Sequence, residues 1–137
     1  MTNKDLIDRA ISAMAFAYAP YSGFTVGAAL LTADGQVYTG CNIENASYTP
    51  TVCAERVAFF SAIRDGKRDF TKIAVVGGKN GNISSFTYPC GVCRQVMREF
   101  CDDDFIILTY NGEEIRETTL AALLPDSFSP KDLENGR

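Results

Sequence analysis

The sequence predicts an α/β fold with a mixed sheet of about five strands, an N-terminal hairpin and a parallel βαβαβ part. Residues 73–76 and 105–109 are short apolar runs without polar alternation, which is typical of strands buried on both faces. Residues 52–65 and 90–101 have the pattern of helices and alternate with those strands along the chain. Such alternation favours parallel strands in the second half of the sheet.

The first third of the chain predicts one helix and then the hairpin. Apolar side chains recur at helical spacing over residues 3–18, and a proline beyond them ends the helix. Residues 24–31 and 37–43 are predicted strands. The Asp34-Gly35 pair between them tolerates the positive φ angles of a tight hairpin turn.

The middle of the chain predicts a helix, a strand and a loop. The segment 52–65 is Ala-rich, and Gly66 closes it as a helix. The apolar strand at 73–76 is expected to break at Gly77 and Gly78, where a polar loop begins.

The last third adds a helix at 90–101, a strand at 105–109 and a second hairpin turn at 111–112. Leucines within 120–124 predict a short closing helix, and the polar residues 131–137 are expected to fray. The apolar stripe of the 90–101 helix is predicted to contain Val92, Val96 and Phe100.

Length and charge restrict the class of protein and its partners. A chain of 137 residues, 46% of them hydrophobic, is expected to form one domain over residues 1–137. The net charge is −4 and Lys and Arg form no run, so no nucleic-acid partner is expected. The sequence has no membrane-spanning stretch and no signal-peptide pattern, which predicts a cytoplasmic protein without a membrane partner.

The cysteine and histidine counts narrow the chemistry. The chain has five cysteines and no histidine. In a reducing compartment the cysteines are expected to be thiols or metal ligands. The absence of histidine excludes Ser-His and Cys-His nucleophiles, and any metal must be held by sulfur or carboxylate.

Three cysteines lie at the starts of two predicted helices: Cys53 at the first, and Cys90 and Cys93 at the second. Helices that follow parallel strands begin at the same edge of a sheet, so these sulfurs can converge on one point if the two helices are neighbours. Three thiolates leave the fourth tetrahedral position of zinc free, which is typical of a catalytic zinc site.

The charges around these cysteines fit such a site. Three thiolates and a zinc dication carry a net negative charge, which two helix N-termini of about +0.5 each offset. Arg56 and Arg94 lie in the first turns of the two helices and could donate hydrogen bonds to sulfur. Glu55 is not one of the thiolate ligands, so it is free to move protons.

Each feature also has an ordinary interpretation. A Cys-x-x-Cys pair is often a redox motif, and a non-catalytic zinc or redox module is one alternative for this chain. Cys101 lies about 12 Å along the helix from Cys93, too far to complete a structural zinc site. Cys41 is expected to be a small buried thiol in a strand. Glu55 alone could complement the helix dipole.

The combination of Cys-Ala-Glu at 53–55 with Pro-Cys-Gly-Val-Cys at 89–93 matches the signature of zinc deaminases. The match extends to AYAPYSGFTVGAALL (17–31), GCNIENASY (40–48), CAER (53–56), PCGVCRQVMREF (89–100) and LLPDSF (123–128). On these segments, across roughly residues 5–133, the chain resembles cytidine deaminases of the small homotetrameric type. The resemblance implies a three-layer α-β-α cytidine deaminase-like fold.

The resemblance also implies an activity. It is the zinc-dependent hydrolytic deamination of cytidine and 2′-deoxycytidine to the uridine nucleosides and ammonia, a step of pyrimidine salvage. One zinc per chain would be held by Cys53, Cys90 and Cys93. A zinc-bound hydroxide would attack the amino-bearing ring carbon with Glu55 as proton shuttle, and Arg56 would compensate the thiolate charge.

The same resemblance assigns residues to the nucleoside. Asn42 and Glu44 would hydrogen-bond the 3′ side of the ribose. Phe24 would pack against the nucleoside, and the backbone of Ala54 would help to hold the pyrimidine. Without the resemblance, Phe24 reads as a core aromatic and residues 42–48 as an ordinary polar loop.

Two further aromatic residues connect the site to self-association. By resemblance, Tyr48 and Phe128 would reach into a neighbouring subunit's site, which makes a homotetramer with shared active sites part of the function. The ordinary alternative for Phe128 is an anchor for the C-terminal segment.

One position departs from the family pattern. Tyr88 precedes Pro89, where the family usually has Ser or Thr. A contact from the backbone carbonyl to the leaving amino group would survive this change, whereas a contact from a hydroxyl would not. Deamination of another cytosine compound, such as an antibiotic nucleoside, is therefore a second hypothesis, although the intact segments at 24–31 and 41–48 argue against it.

Overall fold

A computed structural model describes residues 1–134, which form a five-stranded sheet with helices on both faces. The strands are β1 (Phe24–Thr32), β2 (Val37–Cys41), β3 (Phe70–Lys79), β4 (Ile106–Tyr110) and β5 (Ile115–Thr119). The helices are α1 (Asn3–Met14), α2 (Ala54–Arg64), α3 (Gly91–Phe100), α4 (Leu120–Leu123) and α5 (Pro130–Glu134).

The strand order across the sheet is β2-β1-β3-β4-β5. Strand β1 is antiparallel to both of its neighbours, β2 and β3, and β3 is parallel to β4. Consequently β2, β3 and β4 all run in one direction, with α2 and α3 as their connections. The mixed sheet with a parallel βαβαβ part is confirmed, with the first strand of the hairpin inserted between β2 and β3.

Successive residues of the central strands face opposite layers. Ala29 of β1 and Ala74 of β3 pack with Leu6 and Ile7 of α1 on one face. The neighbouring residues of the same strands, such as Leu30 and Ile73, belong to the core on the other face. That second core also contains buried side chains of α2 and α3, so the predicted three layers are confirmed.

Two glycines let helices lie directly against the sheet. A Cβ atom on Gly27 would stand 1.9 Å from the carbonyl oxygen of Ala10 in α1. A Cβ atom on Gly40 would stand 2.3 Å from the carbonyl oxygen of Ala54 in α2. Real Cβ atoms do not approach oxygen so closely, so each helix can sit at its observed depth only because glycine lies beneath it.

The first helix is shorter than the spacing of apolar residues predicts. It ends at Met14 rather than at residue 18. Tyr18 instead forms a parallel bridge with Ile43: its N–H donates to the carbonyl of Asn42 at 2.9 Å, and its carbonyl accepts from the N–H of Glu44 at 2.8 Å. These non-local backbone bonds compete successfully with another helical turn.

The expected break at Gly77 and Gly78 is also wrong, because β3 continues through both residues to Lys79. The glycines serve close packing instead of a turn. A Cβ atom on Gly78 would stand 2.0 Å from the carbonyl oxygen of Asn82, and one on Gly77 would stand 3.0 Å from the hydroxyl oxygen of Thr87. The loop after β3 therefore folds back over its end.

The apolar stripe of α3 is rotated from the predicted one. Cys93 and Met97 are its buried residues, whereas Val92 is 58% exposed. Val96 and Phe100 do pack against the core. At the C-terminus, residues 131–134 belong to α5 instead of fraying, and the expectation for 135–137 lies outside the described residues.

The predicted turn glycines adopt the required conformation: Gly35 has φ +87°, Gly66 has φ +85° and Gly112 has φ +97°. The turn at 111–112 connects two antiparallel strands, β4 and β5, as expected. Within residues 1–134, no helix is both long and apolar enough to cross a membrane.

The contact between Gly27 and α1 can be tested by substitution. We expect Gly27→Ala to lower the free energy of unfolding by about 3 kcal/mol, because the added methyl group must displace helix backbone. Urea unfolding at fixed chain concentration measures the change. Gly91→Ala is the control, since apart from the adjacent residues and the backbone of its own helix, no atom of the described residues lies within 4 Å of its ideal Cβ position. Equal stability of the two variants would contradict the close-approach explanation.

Candidate metal centre and active site

Three cysteines from two helix starts meet at one edge of the sheet. Cys53 is the N-cap residue of α2, Cys90 is the N-cap residue of α3, and Cys93 lies in the first turn of α3. Their sulfur atoms all lie within 4.8 Å of one another, and the Sγ atoms of Cys53 and Cys90 are 3.7 Å apart. The predicted convergence is therefore present.

The spacing of these sulfurs suits zinc. Tetrahedral coordination with zinc–sulfur bonds of about 2.3 Å places two sulfurs about 3.8 Å apart, close to the separation of Cys53 and Cys90. All five cysteines are free thiols, so no disulfide uses these atoms. Within residues 1–134 the three cysteines are the only group of potential ligands close enough to share a metal ion.

The electrostatic environment stabilises negative charge on sulfur. The Cys53 pKa is lowered to about 5, first by a hydrogen bond from Cys93 and further by hydrogen bonds from Arg56 and Cys90. The Arg56 guanidinium donates to the Cys53 sulfur across 3.4 Å. The hydrogen bond to Cys53 and burial raise the pKa of Cys93.

Arg94 does not donate to sulfur, contrary to expectation. Its Nε atom donates to the carbonyl of Pro89 at 2.7 Å, and its Nη1 atom donates to the carbonyl of Leu123 at 2.8 Å. Arg94 therefore ties the loop before α3 to the end of α4. Of the two arginines in the helix starts, Arg56 alone has a described bond to a thiol.

Glu55 is a buried carboxyl next to the thiols. It lies in the first turn of α2 and is only 3% exposed. Burial, reinforced by the charge of Cys53, raises the Glu55 pKa to about 7. Its Oε1 atom is buried and has no hydrogen-bond partner among the described residues. An orphaned oxygen on a carboxyl that titrates near neutrality is suited to proton transfer to a bound molecule.

Asn42 is fixed against β1 by both ends of its amide. Its Oδ1 atom accepts from the N–H of Val26 at 2.8 Å, and its Nδ2 atom donates to the carbonyl of Phe24 at 2.8 Å. Phe24 itself is partly exposed at the start of β1. Asn42 thus joins the segment after β2 to the strand that carries Phe24.

Glu44 receives three hydrogen bonds from the segment between α1 and β1. Its Oε1 atom accepts from the N–H groups of Tyr21 at 3.0 Å and Ser22 at 3.1 Å. Its Oε2 atom accepts from the Ser22 hydroxyl. These bonds lower the pKa of Glu44, so the carboxylate is charged at neutral pH.

The other predicted substrate residues lie in different settings. Ala54, fully buried, is the first residue of α2, where amides lack acceptors within the helix. Tyr48 is 76% exposed with φ +65° and lines a cavity of about 420 Å³ with Glu44. Phe128 is 60% exposed, and its carbonyl accepts from the amide of Gln95 at 2.8 Å. Both aromatic side chains project from the surface of the chain.

Sequence reasoning missed two contributors. Ser22 bonds Glu44, and its place two residues before Phe24 in the 17–31 segment was the available signal. Arg116 of β5 stacks 3.8 Å from the Phe86 ring centroid and lies 3.5 Å from the Tyr88 hydroxyl. No signal pointed to Arg116, because it is distant in sequence from Tyr88.

The site lies at the C-terminal ends of parallel strands. It combines three convergent thiols, two helix N-termini and one buried carboxyl group, which is the composition of a zinc-dependent hydrolase centre. A family model described as the cytidine and deoxycytidylate deaminase zinc-binding region matches residues 1–109.

Individual relatives agree with the family match. A cytidine deaminase of Sporosarcina psychrophila is 51% identical over 134 residues, which are 97% of this chain and 96% of the relative. One from Halalkalibacterium halodurans is 47% identical over 136 residues, 98% of this chain and all of the relative. The crystal structure of cytidine deaminase from Burkholderia pseudomallei superposes with a TM-score of 0.86 at 48% identity, covering 93% of this chain and 100% of that one. The chain belongs to the cytidine and deoxycytidylate deaminase family.

Zinc content provides a test of the centre. We expect the purified protein to hold one zinc ion per chain and Cys93→Ala to hold almost none, because two thiols cannot complete the set. Elemental analysis after desalting measures the ratio. Cys41→Ala is the matched control, since Cys41 lies in β2 outside the trio, and should keep full zinc. Full zinc content in Cys93→Ala would contradict the three-thiolate site.

Proposed function

We propose that this protein catalyses the hydrolytic deamination of cytidine and 2′-deoxycytidine, giving the uridine nucleosides and ammonia. The observation that carries the proposal is the position of the buried Glu55 carboxyl beside three convergent thiols at one sheet edge. A purely structural zinc site would need neither an open fourth position nor a buried, unpartnered carboxyl oxygen. The sequence relatives named cytidine deaminase support this choice of reaction.

Cys53, Cys90 and Cys93 are the proposed zinc ligands. Bound zinc would supply Lewis-acid activation of a water molecule, lowering the pKa of that water towards neutrality. Arg56 would offset part of the thiolate charge through its bond to Cys53, and the N-termini of α2 and α3 would offset more. The residues present fit this metal by number, chemistry and spacing.

Glu55 is the proposed proton shuttle. Deamination requires that the ring nitrogen beside the amino-bearing carbon gains a proton and that the amino group leaves as ammonia. A carboxyl with a pKa raised to about 7 can hold a proton or release it near neutral pH. Its unpartnered Oε1 atom is the oxygen available to hydrogen-bond the substrate.

The nucleoside site is proposed to contain Phe24, Asn42, Glu44 and Ala54. Glu44 and Asn42 would hydrogen-bond the ribose at its 3′ side. A charged carboxylate accepts from a neutral sugar hydroxyl but repels a 3′-phosphate, so free nucleosides are the expected substrates. Phe24 would pack on the nucleoside, and the Ala54 backbone would bind the pyrimidine.

We also infer that the protein forms a homotetramer with shared active sites. Tyr48 and Phe128, both largely exposed on one chain, would complete the site of a neighbouring subunit. Tyr21, also exposed, lines the same cavity as Tyr48, so this face presents more than one aromatic ring. Exposed aromatic side chains are enriched in interfaces between subunits.

A cytoplasmic location follows from the proposed chemistry. The three thiols must remain reduced to bind metal, and the cytoplasm maintains reduced thiols, whereas oxidising compartments promote disulfides. The acidic net charge agrees with a small-molecule substrate instead of a nucleic acid. One domain over residues 1–137 would supply the zinc ligands and Glu55 of each site, to which a neighbouring subunit would add Tyr48 and Phe128.

Substitution of Glu55 tests the proton shuttle. We expect Glu55→Gln to fold, to retain zinc and to lose at least about 10³-fold in kcat, because the amide cannot exchange a proton. The loss of absorbance as cytidine becomes uridine measures turnover. Glu99→Gln on the exposed face of α3 is the charge-matched control and should retain activity. Retained turnover in Glu55→Gln would rule out the shuttle role.

Subunit mixing tests the shared site. We expect light scattering to give about four times the chain mass of 14.9 kDa. Phe128→Ala should weaken turnover, and mixing it with Glu55→Gln under subunit exchange should restore activity, because some sites then combine an intact Glu55 with a neighbour's intact Phe128. A mass near one chain, or no gain on mixing, would argue against sites that are shared between subunits.

A further inference from the structure

We propose that Ser22 and Lys79 are positioning residues for nucleoside binding, which they control by holding Glu44 and Phe24 in place. This inference rests on the proposed function, since it concerns the same site. Neither Ser22 nor Lys79 is among the residues proposed to contact the substrate. Ser22 lies between α1 and β1, and Lys79 is the last residue of β3.

Ser22 bonds two proposed substrate residues at once. Its hydroxyl donates to Oε2 of Glu44, and its backbone N–H donates to Oε1 of the same carboxylate at 3.1 Å. The hydroxyl oxygen also accepts from the backbone N–H of Phe24 at 3.0 Å. One serine thus fixes the carboxylate by both oxygens and fixes the start of β1, where Phe24 lies.

Lys79 holds Ser22 from the opposite side. Its ammonium group donates to the Ser22 carbonyl oxygen. Next to it, the N–H of Asn80 donates to the carbonyl of Gly23 at 2.7 Å. Gly23 has φ +69°, and a Cβ atom there would stand 3.0 Å from Asn80 Oδ1 and 3.3 Å from Lys79 Nζ. Residues 22–23 are therefore bonded to Glu44 on one side and to the end of β3 on the other.

These hydrogen bonds favour binding because they fix the position of Glu44 before the substrate binds. Glu44 is half-buried, and without these bonds its carboxylate would still sample several rotamers that binding must then restrict. The Ser22 bonds select one of them. The Ser22 hydroxyl is also the first cause of the lowered pKa of Glu44, which keeps the carboxylate charged as a hydrogen-bond acceptor.

The role predicts an effect on binding with little effect on chemistry. Ser22→Ala should raise KM for cytidine about tenfold and weaken uridine binding by calorimetry to the same extent, with kcat changed less than about twofold. Ser22→Thr, which keeps the hydroxyl, should restore most of the affinity. Lys79→Met should raise KM about threefold, a smaller change because the lysine is exposed.

Two matched controls separate positioning from general destabilisation. Ser61→Ala removes a hydroxyl that donates to the Val57 carbonyl in α2. Lys72→Met removes an ammonium from the other end of β3, where it donates to Oδ1 of Asn3 at 2.8 Å. Both should leave KM and uridine affinity unchanged, and melting temperatures should be compared for all five variants.

The outcomes distinguish this inference from the proposed function. If the wild-type protein neither deaminates cytidine nor binds uridine, the proposed function fails and this inference fails with it. If the wild type is active but Ser22→Ala keeps KM and uridine affinity, the positioning role alone is overturned. A loss of kcat with unchanged KM, or no rescue by Ser22→Thr, would overturn it as well.

Discussion

Bringing three sulfur atoms within 4.8 Å of each other requires compensating positive charge, because neighbouring thiolates repel one another. The fold supplies that charge by starting two helices at the same sheet edge. Strands β2 and β3 run in the same direction, so α2 and α3 both begin at their carboxyl ends. Cys53 and Cys90 occupy the two N-cap positions, where the helix dipoles favour negative charge. The remaining contacts of the site refine this arrangement.

The depth of α2 depends on a residue that takes no part in the chemistry. Gly40 lets the start of α2 lie against β2, and Glu55 in the first turn of the same helix is buried. Burial raises its pKa and leaves Oε1 without a partner, which costs folding free energy on the order of 1–3 kcal/mol. The buried carboxyl group therefore lowers the stability of the fold, but it can exchange a proton near neutral pH.

Local patterns and residue chemistry predicted much of the fold, although the break at Gly77 and Gly78 and the apolar stripe through Val92 were local predictions that were wrong. The helix starts, the turn glycines and the cysteine trio all follow from neighbouring residues, and the shared strand direction then brings the sulfurs together. Other predictions were wrong because contacts with distant parts of the backbone determine the structure there. Tyr18 lies outside α1, where its backbone bonds Asn42 and Glu44. Arg94 donates to carbonyl oxygens instead of to sulfur. No local pattern encodes such partners, because they depend on how three or more elements pack together.

The surroundings of Tyr88 also depend on residues distant in sequence, so its role cannot be inferred from its residue type alone. Its hydroxyl lies near Arg116, which stacks on Phe86 at the edge of the sheet, and this neighbour lowers the Tyr88 pKa. On the other side, Arg94 holds the carbonyl of Pro89. Arg116 of β5 thus contacts the Tyr88 side chain, whereas Arg94 of α3 fixes the backbone carbonyl of the next residue. The bond from Arg94 to the Pro89 carbonyl does not involve the side chain at position 88, and the Tyr88 phenol has its own neighbour on β5. Tyrosine in place of a smaller hydroxyl residue is therefore compatible with a contact that depends on the backbone.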